Sequence, residues 1–329
     1  MNWLTSSVPA LSLGVLLAVA PTATTATTSA TSWPDRPLRL VIPVPAGGGP
    51  ELIIRTLAEG LQQQLGQPVV VDYRPGAAGN LGAADLAKSP PDGYSWMLAQ
   101  ESIFTINPHI YPNLGFDAAD IQPVALIGSF VNTLVCHPSV GVGTLEELIA
   151  KAKAEAGKIT YASAGSGSPG HLTMEMLMLE AGIKLSHVPY RGPMPAAQDL
   201  LGGHVDCAFL VSSMVADHIR AGSLVGLAGS GQKPSTSLPD LPNIANSGYP
   251  NFNATYWLGI FAPKGVKPEI SEKFQTALQA ALADPEVVQA MLASDTQPTS
   301  TTPEQTVQRL DQLSQQWSET VKRANVKVE

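Results

Sequence analysis

Two glycine-rich stretches in this 329-residue chain lie where bare backbone could do chemistry. The first is Ala46, Gly47, Gly48 and Gly49, between the apolar run "LRLVIPV" and a helical pattern opening at Pro50. The second runs from Ala164 through Gly165, Ser166, Gly167 and Ser168 to Gly170, between "KITYASA" and "HLTMEMLMLEAG". A glycine turn that opens a helix lets backbone N–H groups approach an anion, and the helix adds its positive end. Charge-assisted hydrogen bonds contribute roughly 1.5 to 3 kcal/mol each. Three or four would carry most of the about 8 kcal/mol of a micromolar complex. One such loop reads equally well as a tight turn holding helix against sheet. Two matched loops favour a binding site.

Enzyme chemistries fit less well. "GSGSPG", Gly165 to Gly170, matches G-x-G-x-x-G after a strand and before a helix, which makes an NADP-dependent oxidoreductase the alternative reading. The following strand, "LSHVPYRG", ends without the acidic residue that would take a ribose hydroxyl, although Arg191 could imitate an NADP site. "AGGGPEL" lacks the lysine and Ser/Thr of a P-loop, and Ala164 and Ser168 flank Ser166 where a nucleophile elbow requires glycines. The six histidines form no H-x-x-x-H or H-E-x-x-H pair, so no metal is expected; His171 alone closes a glycine loop. Glu146, Glu147, Glu175 and Glu180 fall on helical faces and make no acid/base pair. No catalytic residue and no cofactor are expected.

The elements that must position these loops alternate between strand and helix patterns, the signature of an α/β architecture. "PELIIRTLAEGLQQQLG" puts Ile54, Leu57, Leu61 and Leu65 on one helical face and stops at Gly66; "QPVVVDY" is the next strand. "GAADLAK", "TLEELIAKAKAEAG" and "HLTMEMLMLEAG" read as helices, and "YSWMLAQ", "TLVCHP", "KITYASA", "LSHVPY", "VDCAFL", "LVGLAGSG" and "YWLGIFAP" as strands. Two amphipathic helices end the chain, the first interrupted at Asp284-Pro285. A content of 44% hydrophobic and 14% charged residues describes an ordinary globular protein, and the length favours about two domains. The net charge of −8, without any basic stripe, excludes nucleic acid as a partner.

Residues 1–31 differ from the rest. "VPALSLGVLLAVA" is too short to span a bilayer comfortably, and small residues follow it, as in a secretory signal peptide with Thr24-Thr25-Ala26 or Thr28-Ser29-Ala30 near the cleavage site. The n-region "MNWLTSS" carries no Lys or Arg, so an uncleaved anchor is the alternative. Cys136 and Cys207 each lie in a strand-like run and read as two buried free thiols.

The run "WPDRPLRLVIPVPAGGGPELIIRTLAEGLQQQLGQPVVVDYRPGAAGNLGAADLAKSPPDGYSWMLA", followed by "INPHIY", "YASAGSGSPGHLTMEMLMLEAGIKLSHVPYRGPMPAAQDLLGGHVDCAF", "LPDLPNIANSGYP" and "YWLGIFAPKGVKP", resembles the tripartite tricarboxylate transporter substrate-binding proteins, the Bug family, from about Trp33 to the C-terminus. The resemblance implies a periplasmic, two-lobed flytrap in which each lobe is a mixed sheet flanked by helices. Lobe 1 would comprise residues 34–132 and 258–329, and lobe 2 residues 133–257. The chain would cross near Phe130 to Leu134, return near Tyr256 to Phe261, and pack its C-terminal helices on lobe 1.

Such a receptor captures a small carboxylate for membrane transporter subunits, where they exist, or for a sensor, and acts as a monomer. Carried onto this chain, the ligand-binding residues implied are Ala46, Gly47, Gly48 and Gly49; Gln100, Ser102 and Thr105 after the third strand; Ala164, Gly165, Ser166, Gly167, Ser168 and Gly170 with His171 in support; and Tyr190 and Asp206 at strand ends. The family's Thr-Asp after the first glycines is Pro50-Glu51 here, and its Asp after "VDCAF" is Leu210, so ligand choice does not carry over. On this reading Cys136 and Cys207 sit on neighbouring strands, a geometry expected to leave them unbridged.

Overall fold

The computed structural model describes residues 33–46 and 50–327. In chain order, β1 (Leu38–Ile42), α1 (Glu51–Leu65), β2 (Val69–Tyr73), α2 (Asn80–Ala87), β3 (Ser95–Gln100) and the short α3 (Ser102–Thr105) and α4 (Asn107–Ile110) lead into a long strand, β4 (Ile121–Cys136). Next come α5 (Leu145–Ala154), β5 (Thr160–Ser163), α6 (Pro169–Ala181), β6 (Ser186–Pro189), α7 (Pro193–Leu201), β7 (Cys207–Val211), α8 (Ser212–Arg220) and β8 (Val225–Gly229). The chain finishes with β9 (Thr255–Pro263), α9 (Pro268–Leu282), α10 (Pro285–Ala293), β10 (Gln297–Pro298) and α11 (Pro303–Ala324).

β1 lies between β2 and β3, parallel to both, and Leu38, Leu40, Val41 and Ile42 are all buried. A strand covered on both faces reads as a continuous apolar run, as this one does. α1 turns Ile54, Leu57, Leu61 and Leu65 inward and ends at Gly66, whose φ of 69° is the left-handed cap that glycine favours. The strand order is β2-β1-β3-β9-β4-β7-β5-β6, with β10 and β8 also paired to β4.

β4 joins two sheets. Ile121 to Val131 pair antiparallel with β9, whereas Asn132 to Cys136 pair antiparallel with β7, which is followed by the parallel β5 and β6. Only "TLVCHP" was legible as strand there, because Pro123 and Gly128 interrupt the run; both sit at register shifts of the β4–β9 ladder. A Cβ on Gly128 would lie 2.5 Å from the Met291 side chain, so the strand uses a glycine where α10 presses against it. The fully buried Ser230 stitches the two crossings: its Oγ accepts from the Asn132 N–H at 3.0 Å and donates to the Ala254 carbonyl at 2.8 Å.

α9 and α10 pack on α1. α11 opens with a capping box between Thr302 and Gln305 and packs on α3 and α4, and it also packs on α6, where Arg323 approaches Glu180 at 3.8 Å. Its fully buried Trp317 stacks on Tyr256 of β9 with ring centroids 5.5 Å apart.

The expectation of free thiols is wrong. Cys136 and Cys207 are joined by a disulfide, and no cysteine is free. The two residues are indeed on neighbouring strands and stand opposite one another in the β4–β7 register. The His137 N–H donates to the Asp206 carbonyl at 2.8 Å, so the hydrogen-bonded pair is the next one along and Cys136–Cys207 is a non-hydrogen-bonded pair. At such pairs antiparallel strands bring their side chains closest, and here the Cα atoms are 4.0 Å apart.

Candidate functional site

In each sheet the parallel strands deliver helix N-termini to one edge, the place where open α/β sheets hold ligands. β5 ends at Ser163 and the loop Ala164 to Ser168 carries the chain into α6. Gly165 and Gly167 have φ of 122° and 78°, values that disfavour any residue with a Cβ. Gly170 serves close packing instead: a Cβ there would lie 2.5 Å from the Phe209 carbonyl oxygen of β7.

The loop's donors are arranged differently from the simple cradle. The Gly165 N–H donates to Ser163 Oγ at 3.1 Å, the Gly167 N–H to His171 Nδ1 at 2.9 Å, and the Ser168 N–H to the Gly165 carbonyl at 3.1 Å. The glycines therefore shape the loop and their own N–H groups stabilise it. What the shape presents is Ser168, at the N-cap of α6. Its Oγ is buried, makes no cap bond and has no partner among the described residues. A hydroxyl donor held at the positive end of a 13-residue helix suits an anion.

Tyr190 belongs to this edge: its N–H donates to the Ser163 carbonyl at 3.0 Å, and its carbonyl lies 3.3 Å from where a Gly165 Cβ would be. Its hydroxyl is turned to Asp199 of α7 at 2.7 Å, and partial burial together with that carboxylate pushes the phenol up to about 12. Ala164 is half-buried and Ser166 exposed in the same loop, and His171 is buried beneath it. Asp206 is at the opposite end of the sheet. It precedes β7 and accepts from the Thr160 N–H at 2.7 Å and the Thr160 hydroxyl at 2.8 Å, so it fastens the start of β5 rather than bordering the loop after its end. Leu210 is 3% exposed and packs in an apolar cluster with Val135 and Leu200.

At the corresponding edge of the first sheet, Ala46 is exposed after β1, and Gly47, Gly48 and Gly49 lie outside the described residues. Gln100 ends β3, pairing with Leu258, and Ser102 opens α3; both are half-buried. Thr105 is fully buried with its hydroxyl donated to the Glu101 carbonyl at 3.2 Å, which commits it to the helix.

Two features of this edge were missed in the sequence. Glu101, between Gln100 and Ser102, is fully buried; one carboxyl oxygen accepts from the Trp257 N–H at 2.8 Å, and the other, Oε1, has no partner among the described residues. Burial pushes this carboxyl up to about 8 against the backbone N–H groups of Trp257, Glu101 and Ser102. The second feature is the turn after β2, where Gly76, Ala77, Ala78 and Gly79 all have positive φ. Its signal was the "PGAAGN" run, two glycines bracketing two alanines.

The dinucleotide alternative is not supported. The two glycine amides that would face a pyrophosphate are committed to Ser163 and His171, and β6 ends at Pro189 and runs into Tyr190-Arg191 with no acidic residue at its end.

Two sheets sharing β4, each with helix N-termini at the carboxyl edge of its parallel strands, define a two-lobed α/β fold of the periplasmic-binding-protein type. Residues 53–326 match the family described as the tripartite tricarboxylate transporter family receptor, and the chain belongs to that family. It is 35% identical over 318 residues to the protein BugT of Bordetella pertussis, an alignment covering 96% of this chain and 97% of the relative. Among solved structures it is similar to the periplasmic binding protein BugD, with a TM-score of 0.79 and 33% identity, over 90% of this chain and 100% of that one. It is also similar to R. palustris Rpa4515 with adipate, with a TM-score of 0.82 and 29% identity, over 90% of this chain and 99% of that one. Among the described residues no helix is long and apolar enough to cross a membrane.

Proposed function

We propose that this chain is a periplasmic solute-binding protein that captures a small organic carboxylate between two lobes and presents it to a tripartite tricarboxylate-type transporter or to a sensor. The observation that carries the reading is the Ser168 hydroxyl, buried without a partner among the described residues at the N-terminus of α6 and held there by a glycine loop. A relative solved with adipate supports the ligand class. The lobes are residues 34–132 with 258–329, and 133–257, and the two crossings tied by Ser230 act as the hinge. The ligand contacts are the two glycine loops, with Gln100, Ser102 and the Tyr190 backbone at the cleft edges. The receptor works as a monomer, without catalysis and without nucleic acid.

A thermal-shift screen of the mature protein against mono-, di- and tricarboxylates, adipate among them, tests this. A ligand at a hundred times its Kd stabilises the folded state by about 2.7 kcal/mol, which raises Tm measurably. The expected result is a shift with at least one carboxylate and none with NADPH; a shift with NADPH alone would overturn the reading.

Export is part of the proposal. The apolar residues 8–20 and the small-residue stretch after them lie outside the described residues, and on the sequence they form a cleaved signal peptide. Mass spectrometry of protein from the cell envelope is expected to find a mature N-terminus between Ala20 and Ser32. Recovery of intact Met1 would contradict cleavage.

A further inference from the structure

Beneath the second glycine loop lie two histidines that the sequence spacing did not connect. His171 on α6 and His187 on β6 stack face to face, with ring centroids 3.9 Å apart and planes within 5°. Tyr161 of β5 lies alongside both rings, its centroid 4.9 Å from that of His187 and 6.3 Å from that of His171. Each imidazole reaches the loop by a different route. The Gly167 N–H can only donate, so His171 Nδ1 is its acceptor and carries no proton. The His171 proton is then on Nε2, which lies 3.5 Å from Glu175 Oε1, and Tyr161 donates to that same oxygen at 2.7 Å. Burial raises the Glu175 carboxyl, but the hydrogen bonds from His171 and Tyr161 outweigh it and hold the group below its ordinary range.

His187 reaches the loop through Ser163. Its Nε2 is 2.7 Å from Ser163 Oγ, which also lies 3.1 Å from the Gly165 N–H and 3.1 Å from the Gly165 carbonyl. A hydroxyl has one proton and two lone pairs. All three contacts are satisfied together only when His187 donates from Nε2, the Gly165 N–H donates, and Ser163 donates to the Gly165 carbonyl. Burial, reinforced by the neighbouring His171 ring and opposed by Glu175, lowers the His187 imidazole to about 4, so the ring is neutral above about pH 5.

We propose that His187 is a positioning residue for ligand capture: by donating to Ser163 it fixes both polar groups of Gly165, and with them the loop conformation that presents Ser168 at the mouth of α6. This rests on the carboxylate reading of the loop. His187 touches no ligand; it acts through Ser163, while His171 fixes the next turn at Gly167 by a separate bond. The two arms are therefore separable by experiment.

Amide hydrogen exchange at Gly165 and Gly167, followed by NMR in the full mature protein, reads the loop without any ligand. In His187→Leu, exchange at Gly165 is expected to rise at least about tenfold, with little change at Gly167 or in the β-core amides of Leu134 and Phe209. His187→Gln, which keeps a donor to Ser163, is expected to restore the Gly165 rate. Titration of the same proteins with adipate should weaken about tenfold in the leucine variant and recover in the glutamine variant. Should His187→Leu fail to fold, His187→Ala, which also removes the donor to Ser163 and leaves the Ser163 acceptor in place, gives the same readout and the same expected rise at Gly165. Unchanged Gly165 exchange in a folded leucine or alanine variant, or failure of glutamine to restore it, overturns the proposal. A wild-type protein that ignores every carboxylate counts against the ligand reading, whereas the exchange at Gly165 separately decides whether His187 holds the loop.

Discussion

Replacing Cys136 and Cys207 together by serine is expected to lower the stability of the mature protein by about 4 kcal/mol. The bridge closes a loop with a sequence separation of 71 residues, and the chain-entropy model gives about that figure for such a loop. Both cysteines are fully buried in the β4–β7 ladder, so the serine hydroxyls add a desolvation penalty in the same direction. The location matters for function because this rung lies on β4, the strand shared by both sheets. Denaturant unfolding of the oxidised wild type and the double variant measures the difference, and thiol titration of the denatured, unreduced wild type should count none. Two titratable thiols, or equal midpoints for the two proteins, would show that no bridge supports the second sheet.

The second large effect concerns Glu101. Its carboxyl, ordinarily near 4.5, is pushed up to about 8 by complete burial. Between those values the native state keeps a proton that the unfolded chain has released. Stability is accordingly full below about pH 4.5 and declines as the pH rises, by about 1 kcal/mol for each pH unit, until the native group ionises near 8. Glu101→Gln keeps a carbonyl for the Trp257 N–H and places an uncharged donor where Oε1 stands. The variant is expected to match wild type near pH 5, to lose this component of the pH dependence, and to be more stable than wild type by several kcal/mol at pH 8. Thermal or urea unfolding of both proteins across pH 5 to 9 reads the difference directly. Parallel profiles would mean that Glu101 is ionised in the native protein. Because Glu101 sits between Gln100 and Ser102 and is bonded to Trp257 of β9, its protonation bears on the cleft edge as well as on the fold.

Much of this was legible because local chemistry and tertiary placement agree. The apolar period of α1 and its stop at Gly66, the continuous apolar β1, and the break before Pro285 all follow from residues whose preferences act within a few positions. Elements whose identity depends on distant partners were harder to see. β4 was read short because Pro123 and Gly128 look like breakers until β9, β10 and α10 are in place to use them. α7 was missed because Pro193 and Pro195 crowd its first turn, where proline is tolerated.

The site divides in the same way. The second glycine loop and its helix were evident, but three donors of that loop turn inward to Ser163, His171 and Gly165, which no spacing reveals. Asp206 was assigned to the cleft by the family resemblance alone, whereas β5 and β7 run parallel, so the start of one lies beside the start of the other and Asp206 bonds Thr160 there, away from the loop. The disulfide depended on whether residues 136 and 207 meet at a hydrogen-bonded or a non-hydrogen-bonded rung, a matter of register alone.

The central claim is that a loop shaped by glycines, rather than a basic side chain, anchors the carboxylate. Arg191 is the natural rival, exposed in the turn after β6 beside Tyr190. Calorimetric titration with the carboxylate that gives the largest thermal shift should compare wild type, Gly167→Val and Arg191→Ala, with circular dichroism confirming that each is folded. Gly167 has a φ of 78°, where a branched side chain is strained, so the valine variant is expected to lose at least about a hundredfold in affinity, near 2.7 kcal/mol. The alanine variant should stay within about threefold of wild type, or about 0.6 kcal/mol. Loss of binding in Arg191→Ala, with binding kept in a folded Gly167→Val, would contradict the account and place the anchor in a side-chain ion pair.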